Sequence, residues 1–286
     1  MVKRPTTYEE QVEILKSRNI TVDDDEFCKE KLGSLNYYRL TAYMLPFKNL
    51  ATNSYSSVSF EQIYNIYEFD RELRALLLGA LEEVEIFIRA KIAYYYAHTY
   101  GPVEYLLPKN YNHRHNHIKF METFETLVYQ NRDNEFVKHH RDNKNNTFPI
   151  WVSVELFSFG MLSKFYADLP PKDKKRIAKQ NFNVGMEQLE SWLLCLSVLR
   201  NRCAHYMRLY YYCFNKTPKN LNSRKLNFGN TIFDYIQIIK HCYTDADKWE
   251  NDFVNNLETL ILKYSKHIDL QHIGFPRDWN NILINK

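Results

Sequence analysis

One stretch constrains this chain more than any other. From Phe60 to about Tyr100, apolar residues return every three or four positions: Ile63, Ile66, Tyr67, Leu73, Leu77, Leu81, Val84, Ile88 and Ile92. That spacing lays them along one face of an α-helix. Ser59 with Gln62 supplies a capping-box start, and Gly101-Pro102 supplies an end. At about 1.5 Å per residue the element spans roughly 60 Å, a length that fits a compact bundle only with a bend. Gly79 is the expected place for one. The polar residues of the stretch (Asp70, Arg71, Arg74, Glu82, Glu85 and Arg89) mix their signs, so internal ion pairs are expected.

A chain built on such an element is expected to be helical throughout. The 286 residues contain only 7 Gly and 9 Pro, too few for a loop-rich β architecture, and strand-like alternation is nearly absent. The expected fold class is all-α, a helical bundle with additional N- and C-terminal helices. It reads as a single unit over 1–286, with N-terminal helices over 1–58, a core over 59–215 and helices over 216–286 packed on it. Thr6-Thr7 with Glu9-Glu10 opens a short first helix, and a second is expected from Asp24 to near Pro46. The segment 48–58 reads as a loop. Pro149 opens PIWVSVELFSFGMLSKFYADL, one strongly apolar helix with Pro in its first turn. PPKDKKRIAKQ reads as a basic connector. A helix over about 186–212 follows, then a polar loop through 229 and helices near 230–243 and 246–267.

Five cysteines with no CxxC pair argue for reduced thiols, neither a disulfide framework nor a zinc site. No apolar leader opens the chain and no run approaches the 18 or so residues of a membrane span, so the expected location is cytoplasmic, with no membrane partner. A net charge of +4 is compatible with a nucleic-acid partner without requiring one. The His-rich stretch HRHNH (His113, His115, His117) lacks a nearby Cys or acid, so a solvated helix start or a phosphate-facing patch is favoured over metal. No metal and no cofactor are expected.

The chemistry concentrates in Leu193–Tyr212, LLCLSVLRNRCAHYMRLYYY. Wound as a helix, it gathers Trp192, Cys195, Leu196, Leu199, Cys203 and Met207 on one face. Ser197, Asn201, His205 and Arg208 gather on the other, with Arg200 at the border and no acid among them, an anion site in outline. Arg200 and His205 stand about 140° apart on an ideal helix, so one helix does not aim both at a single phosphate. Two copies packed across a two-fold axis would surround one cleft with two His and two Arg. That set suits metal-free RNA cleavage: an imidazole moves the proton of a 2′-hydroxyl, and a guanidinium holds the phosphate as charge builds. The spacing alone is weak. Arg132 and His139 also satisfy it, and a helix histidine bonded to a neighbour is the plainer reading.

The sequence RNRCAHYMRLY resembles the HEPN ribonuclease signature in the form carried by the Abi-like (AbiD/AbiF, abortive-infection) family. LNYYRLTAYMLPF, SFEQIYNIYEFDRELRALLLGALEEVEIFIRAKI and PIWVSVELFSFGMLSKFY precede it in that family's order, so the resemblance covers about residues 25–215. It implies a helical HEPN core, a homodimer with the motif at its interface, and an antiphage or toxin-like endoribonuclease role. By resemblance Arg200 and His205 are the catalytic pair, with Asn201 beside them. Arg208 matches the family's Arg of the following turn, and it is expected, with Arg202, to contact RNA. Glu155 is a supporting residue, expected as a buried partner for Arg71, Arg74 or Arg89. Where the family has an Asn after the Arg-Leu-aromatic triplet, this chain has Tyr211 and Tyr212. The expected partners are RNA substrate and a structured noncoding RNA or antitoxin. The alternatives are an RNA-binding module without turnover and a structural scaffold.

Overall fold

In the computed structural model, which describes residues 4–49, 51–52, 54–220 and 228–284, the long periodic stretch is one helix, Phe60–Tyr100. It runs unbroken through Gly79. Its ends are set where the local chemistry sets them. The Ser59 side chain accepts the Gln62 N–H at 3.1 Å, and Gly101, at φ 116°, closes the last turn onto Ala97.

Taken in chain order, α1 (Tyr8–Ser17) opens on a capping box made by Thr7 and Glu10. The two-residue strand β1 (Ile20–Thr21) pairs in parallel with β2 (Val58–Ser59), Ile20 opposite Val58, and so ties the N-terminal helices to the start of the long helix. The second expected helix is broken. α2 (Asp25–Ser34) stops at Leu35, which is extended, and Asn36 caps a new start by accepting the Tyr38 N–H at 2.8 Å. α3 (Tyr37–Thr41) then passes into a 3-10 turn over Ala42–Phe47. The long helix is α4 (Phe60–Tyr100). α5 (His117–Gln130) and α6 (Glu135–Asn143) follow, joined by a short turn.

The expected apolar helix after Pro149 is also two pieces, α7 (Ile150–Leu156) and α8 (Phe159–Asp168). Ser158 breaks it by capping the Met161 N–H. The supposed basic connector is α9 (Pro171–Phe182). Pro171 sits at its first turn, and Ile177, Ala178 and Phe182 make an inward stripe that the string of lysines concealed. α10 (Met186–Ala204) follows, then α11 (Ile232–Cys242). α12 (Ala246–Lys248) leads through a π-helical turn, Trp249–Val254, into α13 (Asn255–Tyr264), and α14 (Trp279–Ile284) ends the described chain. Residues 221–227 of the expected polar loop, and 50 and 53 of the earlier one, lie outside the described residues. The described residues are helical apart from turns and the two short strands, an all-α fold.

α4 is the axis of the core. α7, α8, α9, α10, α11 and α13 all pack against it. α10 lies between α4 and α8 with Trp192, Leu193, Leu196 and Leu199 fully buried, and the Trp192 indole N–H donates to the Lys219 carbonyl at 2.8 Å. Truncating one such Leu to Ala in a filled core costs about 2–5 kcal/mol. No helix among the described residues is long and apolar enough to cross a membrane.

Of the histidines of HRHNH, His113 is exposed and His117 starts α5, but His115 is not part of a solvated patch. The His115 ring stacks on Tyr111 at 3.8 Å between centroids, and its side chain is only 2% exposed. Its Nδ1 lies 2.9 Å from Asp168 and its Nε2 lies 3.1 Å from His117 Nδ1. The ring is buried because a turn, rather than a helix, carries it back onto the end of α8.

Candidate functional site

α10 ends at Ala204, eight residues before the end expected from periodicity. His205 is the capping residue. Tyr206 adopts a left-handed conformation at φ 57°, and two bonds close the turn: Tyr206 N–H to the Cys203 carbonyl at 3.1 Å and Met207 N–H to the Arg202 carbonyl at 2.9 Å. This is a Schellman turn with tyrosine in the position glycine usually takes, and the sequence therefore carries no glycine to announce it. Because the helix stops here, Met207 does not join the apolar face and is half exposed, while Ser197, expected outside, is buried.

What holds the turn is a set of bonds from far along the chain. Asp70, on the inward face of α4, is fully buried. Its carboxylate accepts the backbone N–H of Leu209 at 3.1 Å and of Tyr210 at 2.8 Å, the Tyr43 hydroxyl at 2.7 Å, and the Arg74 guanidinium. Every group around it is a donor, an arrangement that suits a carboxylate with no proton of its own. Burial pushes the Asp70 carboxyl up, and Arg74, Tyr43 and the two amides pull against that. Arg39 donates to the Tyr206 carbonyl at 2.9 Å, and Arg202 donates to the Arg208 carbonyl at 2.7 Å. The Arg202 guanidinium also lies 3.5 Å over the Tyr212 ring. The backbone from 206 to 210 is thereby fixed from several sides.

On that scaffold Asn201 and His205 are exposed one turn apart, and the His205 N–H closes on the Asn201 carbonyl at 3.0 Å. Arg200 is about one third exposed, and its Nε lies 3.7 Å from a Glu85 carboxylate oxygen. Glu85 also pairs with Arg89, which donates to the Val154 carbonyl at the end of α7. Arg208 is partly buried, and its Nη1, like Arg202 Nε, meets no hydrogen-bond partner among the described residues. Burial pushes the Arg208 guanidinium down from its ordinary value, the positive charge of Arg202 adds to this, and Tyr43 and Asp70 oppose it. Burial raises the Cys203 thiol to about 12, so the cysteine inside the motif is packing, not a nucleophile.

Glu155 does not hold the place expected for it. It is exposed, and the arginines it was to neutralise have acids on their own helix: Arg71 pairs with Glu68, Arg74 with Asp70 and Arg89 with Glu85. Partners three or four residues apart on one helix meet without help from elsewhere, which left none for α7 to supply. The residues that sequence reasoning missed are Asp70 and Glu85 as organisers of the site. A signal existed for both. Each falls on the apolar seam of α4, beside Tyr67 and Leu73 or beside Leu81 and Ile88, where a carboxylate needs a fixed partner.

A family model described as Abi-like protein matches residues 30–211, from the second half of α2 to the turn just described. No curated protein and no solved structure matches the chain.

Proposed function

The chain belongs to the Abi-like protein family, and from that premise we propose that it acts in abortive infection as a metal-independent endoribonuclease of the HEPN type. One observation carries this reading. Asn201 and His205 are exposed one turn apart at the end of α10, with Arg200 beside Asn201 in the last turns of that helix, and the chain just beyond them is held by buried bonds to Asp70. Donors held in place before substrate arrives are what transition-state stabilisation requires.

Two copies of the chain complete the site. Exposed apolar side chains lie on α10 itself, on α4 beside it and on α7 beyond: Leu194, Ile86 and Tyr94, and Trp151. A two-fold contact there would bury them and bring two His and two Arg to one cleft. One imidazole then takes the 2′-hydroxyl proton as the oxygen attacks the adjacent phosphorus. The bond from phosphorus to the 5′ oxygen breaks, the second imidazole protonates that oxygen, and a 2′,3′-cyclic phosphate remains. The arginines hold the phosphate oxygens. DNA, without the hydroxyl, is spared.

Incubation with labelled RNA in EDTA tests the mechanism. Cleavage should persist without metal and vanish in His205→Ala. Arg200→Ala should slow it by about 10²–10³. Cleavage that survives in His205→Ala, or that needs Mg²⁺, rules the mechanism out. A second reading, an RNA-binding module restrained by a structured RNA or an antitoxin, has its own support: Arg200 leans on Glu85 rather than standing free. Salt-dependent RNA binding without cleavage would favour it.

A further inference from the structure

The stretch that carries α5 and α6 differs from the rest of the surface. No Lys or Arg between 109 and 147 forms an ion pair with a carboxylate among the described residues, whereas α1, α2, α4, α9, α10, α12 and α13 all carry such pairs. A cavity of about 400 Å³ opens beside α5 and α6. Its floor is aromatic: Phe124 meets Tyr105 edge-on at 5.7 Å and Phe148 edge-on at 6.0 Å, and all three are buried. Glu125 on α5 and Arg141 on α6 line it, and both are exposed and not paired with each other. A volume in this range admits a base with its sugar.

We propose that this cavity is a guanine-nucleotide subsite. Glu125 offers only acceptors, so the base edge it suits must present adjacent donors. Guanine does, with N1–H beside its amino group. Adenine and cytosine place a lone pair next to their amino group, and uracil has one N–H between two carbonyl oxygens. The base lies against the aromatic floor and donates twice to Glu125. Arg141, always charged and fork-shaped, takes the attached phosphate. When the nucleotide is part of an RNA chain, the subsite rests on the ribonuclease reading and holds that substrate at a guanine. A free guanine nucleotide would use the same contacts without that reading.

Calorimetric titration of the full chain with GMP, AMP and inorganic phosphate tests the assignment. Two oligouridylates carrying a single G or a single A form the parallel arm. GMP, or the G-containing oligonucleotide, should bind about tenfold or more tighter than its adenine counterpart. Glu125→Gln should abolish that preference, and Arg141→Ala should weaken both nucleotides while leaving their ratio. A preference seen only with the oligonucleotides assigns the subsite to RNA; one seen with GMP itself assigns it to a free nucleotide as well. Equal binding of the two bases in both arms, no binding in either, or a preference untouched by Glu125→Gln overturns the proposal. Glu125 and Arg141 line this cavity, and Arg200 and His205 do not. Loss of cleavage in EDTA with the guanine preference intact would therefore remove the ribonuclease reading and leave the subsite standing.

Discussion

Helix α4 carries two buried ion pairs, Asp70–Arg74 and Glu85–Arg89, spaced fifteen residues apart and so about 22 Å along one axis. Both are i, i+4 pairs of a carboxylate and a guanidinium, and both face α10, yet they do different things. Asp70 is sealed from water and spends its remaining lone pairs on backbone amides, so it fixes the path of the chain after His205. Glu85 is about one tenth exposed and reaches only a side chain, Arg200, at a distance too long for a hydrogen bond. The first pair builds the turn. The second leaves a charged group, Arg200, only loosely held.

Asp70→Asn attacks the comparison at its stronger end. The amide would present donors to donors and leave Arg74 buried without its counter-charge, at a cost of about 3–5 kcal/mol. Against a typical total of about 5–15 kcal/mol, that is most of the stability of a marginal protein. Urea unfolding monitored by circular dichroism should show the midpoint fall sharply. A cost below about 1 kcal/mol would mean the hub is not what holds the turn.

Glu85→Gln should cost less, on the order of 1–3 kcal/mol, because Arg89 keeps the Val154 carbonyl and some access to water. It should also tighten RNA binding and steepen its salt dependence, since Arg200 loses its internal competitor. Fluorescence anisotropy with labelled RNA at several salt concentrations reads this directly. Weaker binding in Glu85→Gln would show that Glu85 orients Arg200 for its ligand rather than restraining it.

The smallest effect is expected at Tyr206. A tyrosine at φ 57° carries a left-handed cost of about 1–2 kcal/mol that glycine does not. Its ring is two thirds exposed and contributes little packing. Tyr206→Gly should therefore raise stability by up to about 1 kcal/mol, seen as a higher urea midpoint, with the turn unchanged. A loss of stability would mean that the ring itself holds the turn.

The parts legible in the sequence share a physical character. The limits of α4 follow from Ser59 and Gly101, the first helix from Thr7 and Glu10, and the ion pairs of α4 from neighbours three or four residues apart. Each depends on groups within a turn or so of one another, so local chemistry settles it. Less legible were the breaks at Asn36 and Ser158, where short polar residues inside apolar runs act as caps rather than as passengers. In α9 the lysines masked an inward stripe carrying only a few apolar side chains.

By itself the sequence determined that this chain is helical, that Phe60–Tyr100 would be its longest helix, and that Arg200 and Asn201 would lie on a helix just ahead of His205. Only the tertiary structure decided where that helix stops and which acids attend the site. Asp70 and Leu209 are 139 positions apart, so nothing in the periodicity around His205 announces the carboxylate that captures the chain there. A helix ends where its backbone finds better partners than its own next turn, and here those partners come from α4.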